Sequence, residues 1–157
     1  MASNEKTRLI DTCALVNFAA QFGDSDNFWP SIIKEITEGR LKTVRQVWDE
    51  LKSQFPKVHA RVKLYRKEFV ISDALLYDAM AVAEVRIIQE QHNLINQLGT
   101  GNPADPFVIA GAKVIGASVV TDEKATGKRH KSKIPYVCKA RNVDCISGKQ
   151  YLEELGF

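Results

Sequence analysis

Thr7-Arg8-Leu9-Ile10-Asp11-Thr12-Cys13 is a short apolar run that stops abruptly on a carboxylate and a hydroxyl. Ala14-Leu15-Val16 follows at once, so the stretch reads as a buried strand turning straight into a helix, with Asp11 at the strand's carboxyl end. The carboxyl rim of an open parallel sheet is where ligands bind. A second segment, Ala117-Ser118-Val119-Val120-Thr121-Asp122-Glu123, has the same grammar. Placed side by side, the two strands would bring Asp11 and Asp122 to one rim, and converging carboxylates suggest a divalent cation.

Outward from these anchors, strand and helix signals alternate. Ala14 to Gln21 carries apolar residues at helical spacing, and Gly23 to Asn27 breaks it. Phe28 to Glu38 reads as a helix with Pro30 in its first turn and Gly39 ending it. Leu41 to Val44 reads as a short strand, followed by an amphipathic helix from Arg45 to Phe55. There Val47, Trp48, Leu51 and Phe55 form one stripe, with Asp49 and Glu50 flanking it. Periodicity does not choose between those two acids. Val58 to Lys67 reads as a basic helix, Glu68 to Ile71 as a third strand, and Asp73 to about Leu98 as one helix or two, opened by Ser72 as N-cap. After the break at Gly99 to Pro103, Asp105 stands in an N-cap slot with Pro106 at the first helical position. Pro135 to Arg141 reads as a short helix, Val143 to Ser147 as a last strand, and Lys149 to Leu155 as a closing helix. Apolar strands alternating with helices argue for one α/β domain over residues 1–157, with a parallel sheet of about five strands covered on both faces.

Composition sets outer bounds. A chain of 157 residues buries roughly 70% of its unfolded surface, enough for a core without staples. Its 22 basic and 19 acidic residues leave a net charge of +3, which by itself says nothing about nucleic acid. Three cysteines without metal-type spacing point to a reducing compartment rather than a disulfide framework. The polar start and the lack of any membrane-length apolar run give the expectation of a cytoplasmic protein with no membrane partner.

Each acid also has a plain structural role open to it. Asp11 and Asp105 suit helix starts, Asp122 a turn, and Glu50 a solvated helix face. Topology is what couples them, since strand ends and a helix N-terminus at one rim would each present an acid. Carboxylates about 4 Å apart repel by roughly 1 kcal/mol per pair in water and about 4 kcal/mol at an effective dielectric near 20, so such a cluster needs protons or a cation. Oxygen-only donors select Mg²⁺ or Mn²⁺.

Four blocks in order resemble the PIN domain family and, within it, the toxin ribonucleases of VapC type. They are Leu9-Ile10-Asp11-Thr12, Val44 to Lys52 with Trp48-Asp49-Glu50, Ala104-Asp105-Pro106-Phe107 to Ala110, and Val119-Val120-Thr121-Asp122-Glu123. A closing segment, Lys133 to Cys138 leading to Val143 to Ile146, resembles an uncharacterised PIN-like branch. The resemblance implies a PIN-like three-layer α/β/α fold with strand order 3-2-1-4-5, and an acidic pocket for Mg²⁺ or Mn²⁺ built from Asp11, Glu50, Asp105 and Asp122. It implies supporting roles around them for Thr12, Thr121 and Glu123. Cys13 stands where most members of that family have Asn, whose hydrogen bonds a thiol makes poorly. The implied activity is metal-dependent endoribonuclease action on an RNA substrate, as the toxin of a type II toxin-antitoxin pair, with a small cognate antitoxin and a homodimeric assembly. A catalytically weak PIN-like module that binds RNA or another partner is the alternative.

The loop Lys124 to Lys133 carries five basic residues, Lys124, Lys128, Arg129, Lys131 and Lys133, directly after the second acid-terminated strand. Ordinary solvation explains such a run, but beside an acidic pocket it is also where a phosphate backbone would be held.

Overall fold

The computed structural model describes residues 6–92, 104–123 and 134–157. The stretch from residue 93 to about Leu98, expected as helix, the expected break at Gly99 to Pro103 and the expected basic loop Lys124 to Lys133 lie outside the described residues. In chain order the elements are β1 (Arg8–Ile10), α1 (Thr12–Phe22), α2 (Phe28–Thr37), β2 (Leu41–Lys42), α3 (Arg45–Gln54) and α4 (Pro56–Val62). A 3₁₀ turn (Lys63–Tyr65), α5 (Arg66–Phe69), α6 (Asp73–Leu76) and α7 (Ala79–His92) follow, then α8 (Asp105–Ile115), β3 (Ser118–Val120), α9 (Ile134–Ala140), β4 (Cys145–Ile146) and α10 (Gly148–Leu155).

The strands form one parallel sheet flanked by helices, in the order β2-β1-β3-β4. β1 lies at its centre: Arg8 is opposite both Leu41 and Ser118, and Ile10 is opposite Val120. Leu9, Ile10, Leu41, Val119 and Val120 are wholly buried, as short parallel strands covered by helices must be. Leu15, Phe18, Ile32, Ile36, Val47, Leu51, Val108 and Ile109 join them in one apolar core.

The expectation of about five strands in the order 3-2-1-4-5 is corrected to four among the described residues. Glu68 and Phe69, expected in the third strand, instead finish α5. Val70 alone bridges Thr43, through Thr43 N to Phe69 O at 2.8 Å and Ile71 N to Thr43 O at 3.0 Å. Ser72 then caps α6, its hydroxyl accepting from Leu75 N, so only Val70 and Ile71 lie between α5 and that cap, too few for a ladder. The basic helix expected over Val58 to Lys67 is likewise divided by the 3₁₀ turn.

α8 crosses the sheet at very short range, and Gly111 makes this possible. A Cβ there would lie 3.0 Å from Val44 Cγ1, 3.1 Å from Ile71 Cδ1 and 3.4 Å from Leu9 Cδ1. The close approach fixes where the first turn of α8, with Asp105, meets the sheet. Gly111→Val is expected to overpack this contact and lower stability by roughly 1–3 kcal/mol in urea denaturation. Unchanged stability would show that α8 does not lie this close to β1.

Candidate functional site

Asp11 follows β1 and is the N-cap of α1, with extended backbone (φ −88°, ψ 171°). Its N–H donates to Val120 O at 3.1 Å, carrying the pairing of β1 with β3 one step beyond the strands. Oδ1 accepts from Ala14 N at 2.8 Å, which closes the first turn of α1. Oδ2 accepts from the hydroxyl of Thr121, the residue that follows β3. Thr121 Oγ1 in turn accepts from Glu123 N at 3.1 Å.

The neighbouring acids are held in the same manner. Asp122 Oδ1 accepts from Gly148 N at 2.9 Å, at the start of α10, and Oδ2 accepts from Asn17 Nδ2 at 2.8 Å. Gly148 has to lack a side chain, since a Cβ would stand 2.5 Å from Asp122 Oδ1. Glu123 Oε2 accepts from Ile134 N at 2.9 Å, the first residue of α9. Three acids therefore each meet a helix N-terminus, where unpaired N–H groups and the helix dipole favour negative charge.

Of the two acids on α3, Asp49 is exposed while Glu50 is half-buried and accepts from Thr12 Oγ1 at 2.9 Å. Asp105 is 6% exposed. It was expected as the N-cap of its helix, but Ala104 takes that position and Asp105 lies one residue inside, in the first turn.

Burial pushes the Asp11 carboxyl up from 3.8 to about 7. The Thr121 and Ala14 hydrogen bonds oppose this, and the negative charges of Glu123 and Asp122 add to it. The exposed Cys13 thiol is pushed up to about 11, by burial first and then by Asp11, Asp122, Glu123 and Asp105 in turn. The charges that raise it come from acids on three different segments, the ends of β1 and β3 and the start of α8. It is protonated at neutral pH and is no nucleophile.

Asn17 is the residue that the sequence reading missed. It lies one turn after Cys13 on α1, with its amide 3.9 Å from Cys13 Sγ and 2.8 Å from Asp122. An amide is thus present beside the acids although position 13 carries a thiol. The signal in the sequence is the i, i+4 spacing of Cys13 and Asn17, which puts both on one helix face.

The structure thus joins Asp11 to Thr121, Glu50 to Thr12, and Asp122 to Asn17 on one rim. Among the described residues, no group of three or more His, Cys, Asp or Glu stands close enough to hold a metal ion. A cleft of about 1080 Å³ opens beside Asp122 and Glu123, with Asn17 on its wall and Lys139 and Lys149 lining it. Neither Asp11 nor Asp105 lines the cleft, so it adjoins the buried acids rather than enclosing them. The basic residues Lys124, Lys128, Arg129, Lys131 and Lys133 lie outside the described residues.

A family model described as "Domain of unknown function (DUF4411)" matches residues 9–157. A comparison with curated proteins finds no match.

The Asp11 carboxyl gives a signed pH dependence. Its folded value lies above its ordinary one, so between about pH 4 and pH 7 the folded chain holds a proton that the unfolded chain has released. The contribution of Asp11 to stability in chelator is therefore expected to be fully present below about pH 4 and to be lost, by up to about 4 kcal/mol, as pH rises through 7. Asp11→Asn removes that slope, which urea denaturation at several pH values will read. Gly148→Ala is expected to push Asp122 off the α10 N-terminus and to lower stability by about 1–3 kcal/mol in the same measurement.

Proposed function

We propose that this chain, which belongs to the DUF4411 family, is a metal-dependent endoribonuclease of the PIN-like kind. The observation that carries the reading is the Asp11–Thr121 hydrogen bond, which ties the two acid-terminated strands together so that Asp11 and Asp122 share one rim. Glu50 reaches that rim through Thr12, and Asp105 is buried in the first turn of α8.

The donor chemistry fits a hard divalent cation. Every candidate ligand, Asp11, Glu50, Asp105 and Asp122, offers carboxylate oxygen, which suits Mg²⁺ or Mn²⁺. Burial and like charge disfavour the ionised form of Asp11, a condition that a neighbouring cation would reverse. When bound, such an ion lowers the pKa of water for attack on a phosphodiester and offsets charge on the phosphoryl oxygens.

In this reading Asp11, Asp105 and Asp122 are the principal ligands and Glu50 is a ligand or orients the attacking water. Thr121 holds the Asp11 carboxylate and Thr12 holds Glu50. Asn17 and Gly148 N fix both oxygens of Asp122. Lys139 and Lys149 in the adjoining cleft suit the phosphate backbone of RNA, as do the basic residues of the Lys124 to Lys133 loop. The role of toxin in a type II pair, a small cognate antitoxin, a homodimer and a cytoplasmic setting belong to the same proposal. On location, no described helix is long and apolar enough to cross a membrane.

A second reading, a catalytically weak PIN-like RNA-binding module, draws on a specific observation. Helix N-termini and hydroxyls already satisfy Asp11, Asp122 and Glu123, so each acid has a structural use without any cation.

Purified protein incubated with single-stranded and structured RNA separates the two. Cleavage is expected with Mg²⁺ or Mn²⁺, is abolished by chelator and by Asp11→Asn, and falls roughly 10- to 100-fold in Asn17→Ala. RNA retained in a mobility shift but never cut would favour the binding module. Equal cleavage by Asp11→Asn would remove the proposed site.

A further inference from the structure

Cys138 and Cys145 are brought together by the turn that joins α9 to β4. Cys138 lies in the last turn of α9 and is wholly buried in the core. Its carbonyl accepts from Val143 N at 2.8 Å, and Asn142 takes the left-handed conformation (φ 60°) in which the chain reverses. Val119 N then donates to Asp144 O at 2.8 Å and Thr121 N to Ile146 O at 3.0 Å, which docks β4 on β3 with Cys145 opposite Val119. A helix end, a left-handed turn and a strand ladder thus fix both cysteine backbones.

The side chains meet as well. Cys145 packs against the apolar core that contains Cys138, and the two thiols share a hydrogen bond in which Cys138 donates. That bond holds the Cys145 thiol below its usual range, against burial and the charges of Asp11 and Glu123. The same bond, and then burial, push the Cys138 thiol up. Of two such sulfurs, the one more readily ionised is the nucleophile. Access divides the pair in the same sense: Cys145 is half-buried and lines the cleft beside Asp122 and Glu123, whereas Cys138 has no exposed surface.

From the fixed turn, the paired sulfurs and their unequal access, we infer that Cys138 and Cys145 form a reversible disulfide, Cys145 meeting the oxidant and Cys138 resolving it. The oxidant is a hydroperoxide that enters the cleft. The Cys145 thiolate attacks a peroxide oxygen: the S–O bond forms as the O–O bond breaks, the departing alkoxide or hydroxide takes a proton from water, and Cys145 becomes a sulfenic acid. Cys138 then attacks the Cys145 sulfur and gives up its proton; the S–S bond forms, the S–O bond breaks, and the hydroxyl leaves with that proton as water. The two sulfurs lose two electrons and the peroxide gains them. Excess thiol reverses the bond by exchange. The bond staples α9, whose first residue holds Glu123, to β4. It draws on neither cation nor RNA binding.

The test uses the full chain, reduced, freed of reductant and kept in chelator. It is treated with a small molar excess of hydrogen peroxide, quenched, unfolded and alkylated, and mass spectrometry reads the intact mass and the linked peptides. The expected product has lost two thiols and two hydrogen atoms, is alkylated at Cys13 alone, and yields a peptide pair joined through Cys138 and Cys145. Dithiothreitol restores all three thiols. The midpoint of urea unfolding is expected to rise on oxidation and to return on reduction, because the bond restricts the unfolded chain. Cys13→Ser should form the bond as the wild type does. Cys145→Ser should not, and should leave the buried Cys138 a free thiol. The inference is overturned if the folded wild type keeps all three thiols, if Cys13 supplies either end of the bond, if separate chains become linked, or if oxidation stops at Cys145 alone. A midpoint that falls on oxidation would overturn it too, by showing that the bond forms only where the fold is distorted.

Discussion

A carboxylate is buried at the end of the central strand, and the surroundings of β1 are arranged to keep it there. Asp11 is 3% exposed, and an ionised group so placed is costly unless donors meet it. Ala14 N and the Thr121 hydroxyl meet its two oxygens. The first of these starts α1. The second is available only because β1 and β3 pair in parallel with Ile10 opposite Val120, so that the residues following each strand are neighbours. A slip of one residue in that register would turn Thr121 to the opposite face and leave the carboxylate with one partner.

The same solution recurs along the rim. Asp122 sits on the start of α10 and Glu123 on the start of α9, so folding draws acids and helix N-termini together in pairs. Capping and cation binding are thus alternative uses of one geometry. Helix dipoles hold acidic side chains near one another, and burial first, then the repulsion between them, raises the values of Asp11 and Cys13. A net charge of +3 over the whole sequence conceals this gathering of acids at the carboxyl ends of β1 and β3.

Much of this was legible along the chain. Leu9-Ile10-Asp11-Thr12 and Val119-Val120-Thr121-Asp122 announce strands that end on acids, because buried parallel strands are continuously apolar and stop where the chain meets water. The helix starts at Thr12, Phe28 and Arg45 follow from local signals within a few residues. The segment Glu68 to Ile71 misled because a short apolar run suits a strand or the end of a helix equally. Whether it extends depends on the helices on either side, and these leave only Val70 and Ile71 free.

By itself, the sequence determined which residues are apolar enough to form the central strands and which acids stand at their ends, since both are properties of a local window. Only the tertiary structure paired Glu50 with Thr12 and left Asp49, one helical step away on α3, exposed. It also brought Asn17 to Asp122 across 105 positions. Those outcomes depend on how helices pack across a sheet, and packing is fixed by contacts between segments far apart in the chain, which no local pattern encodes.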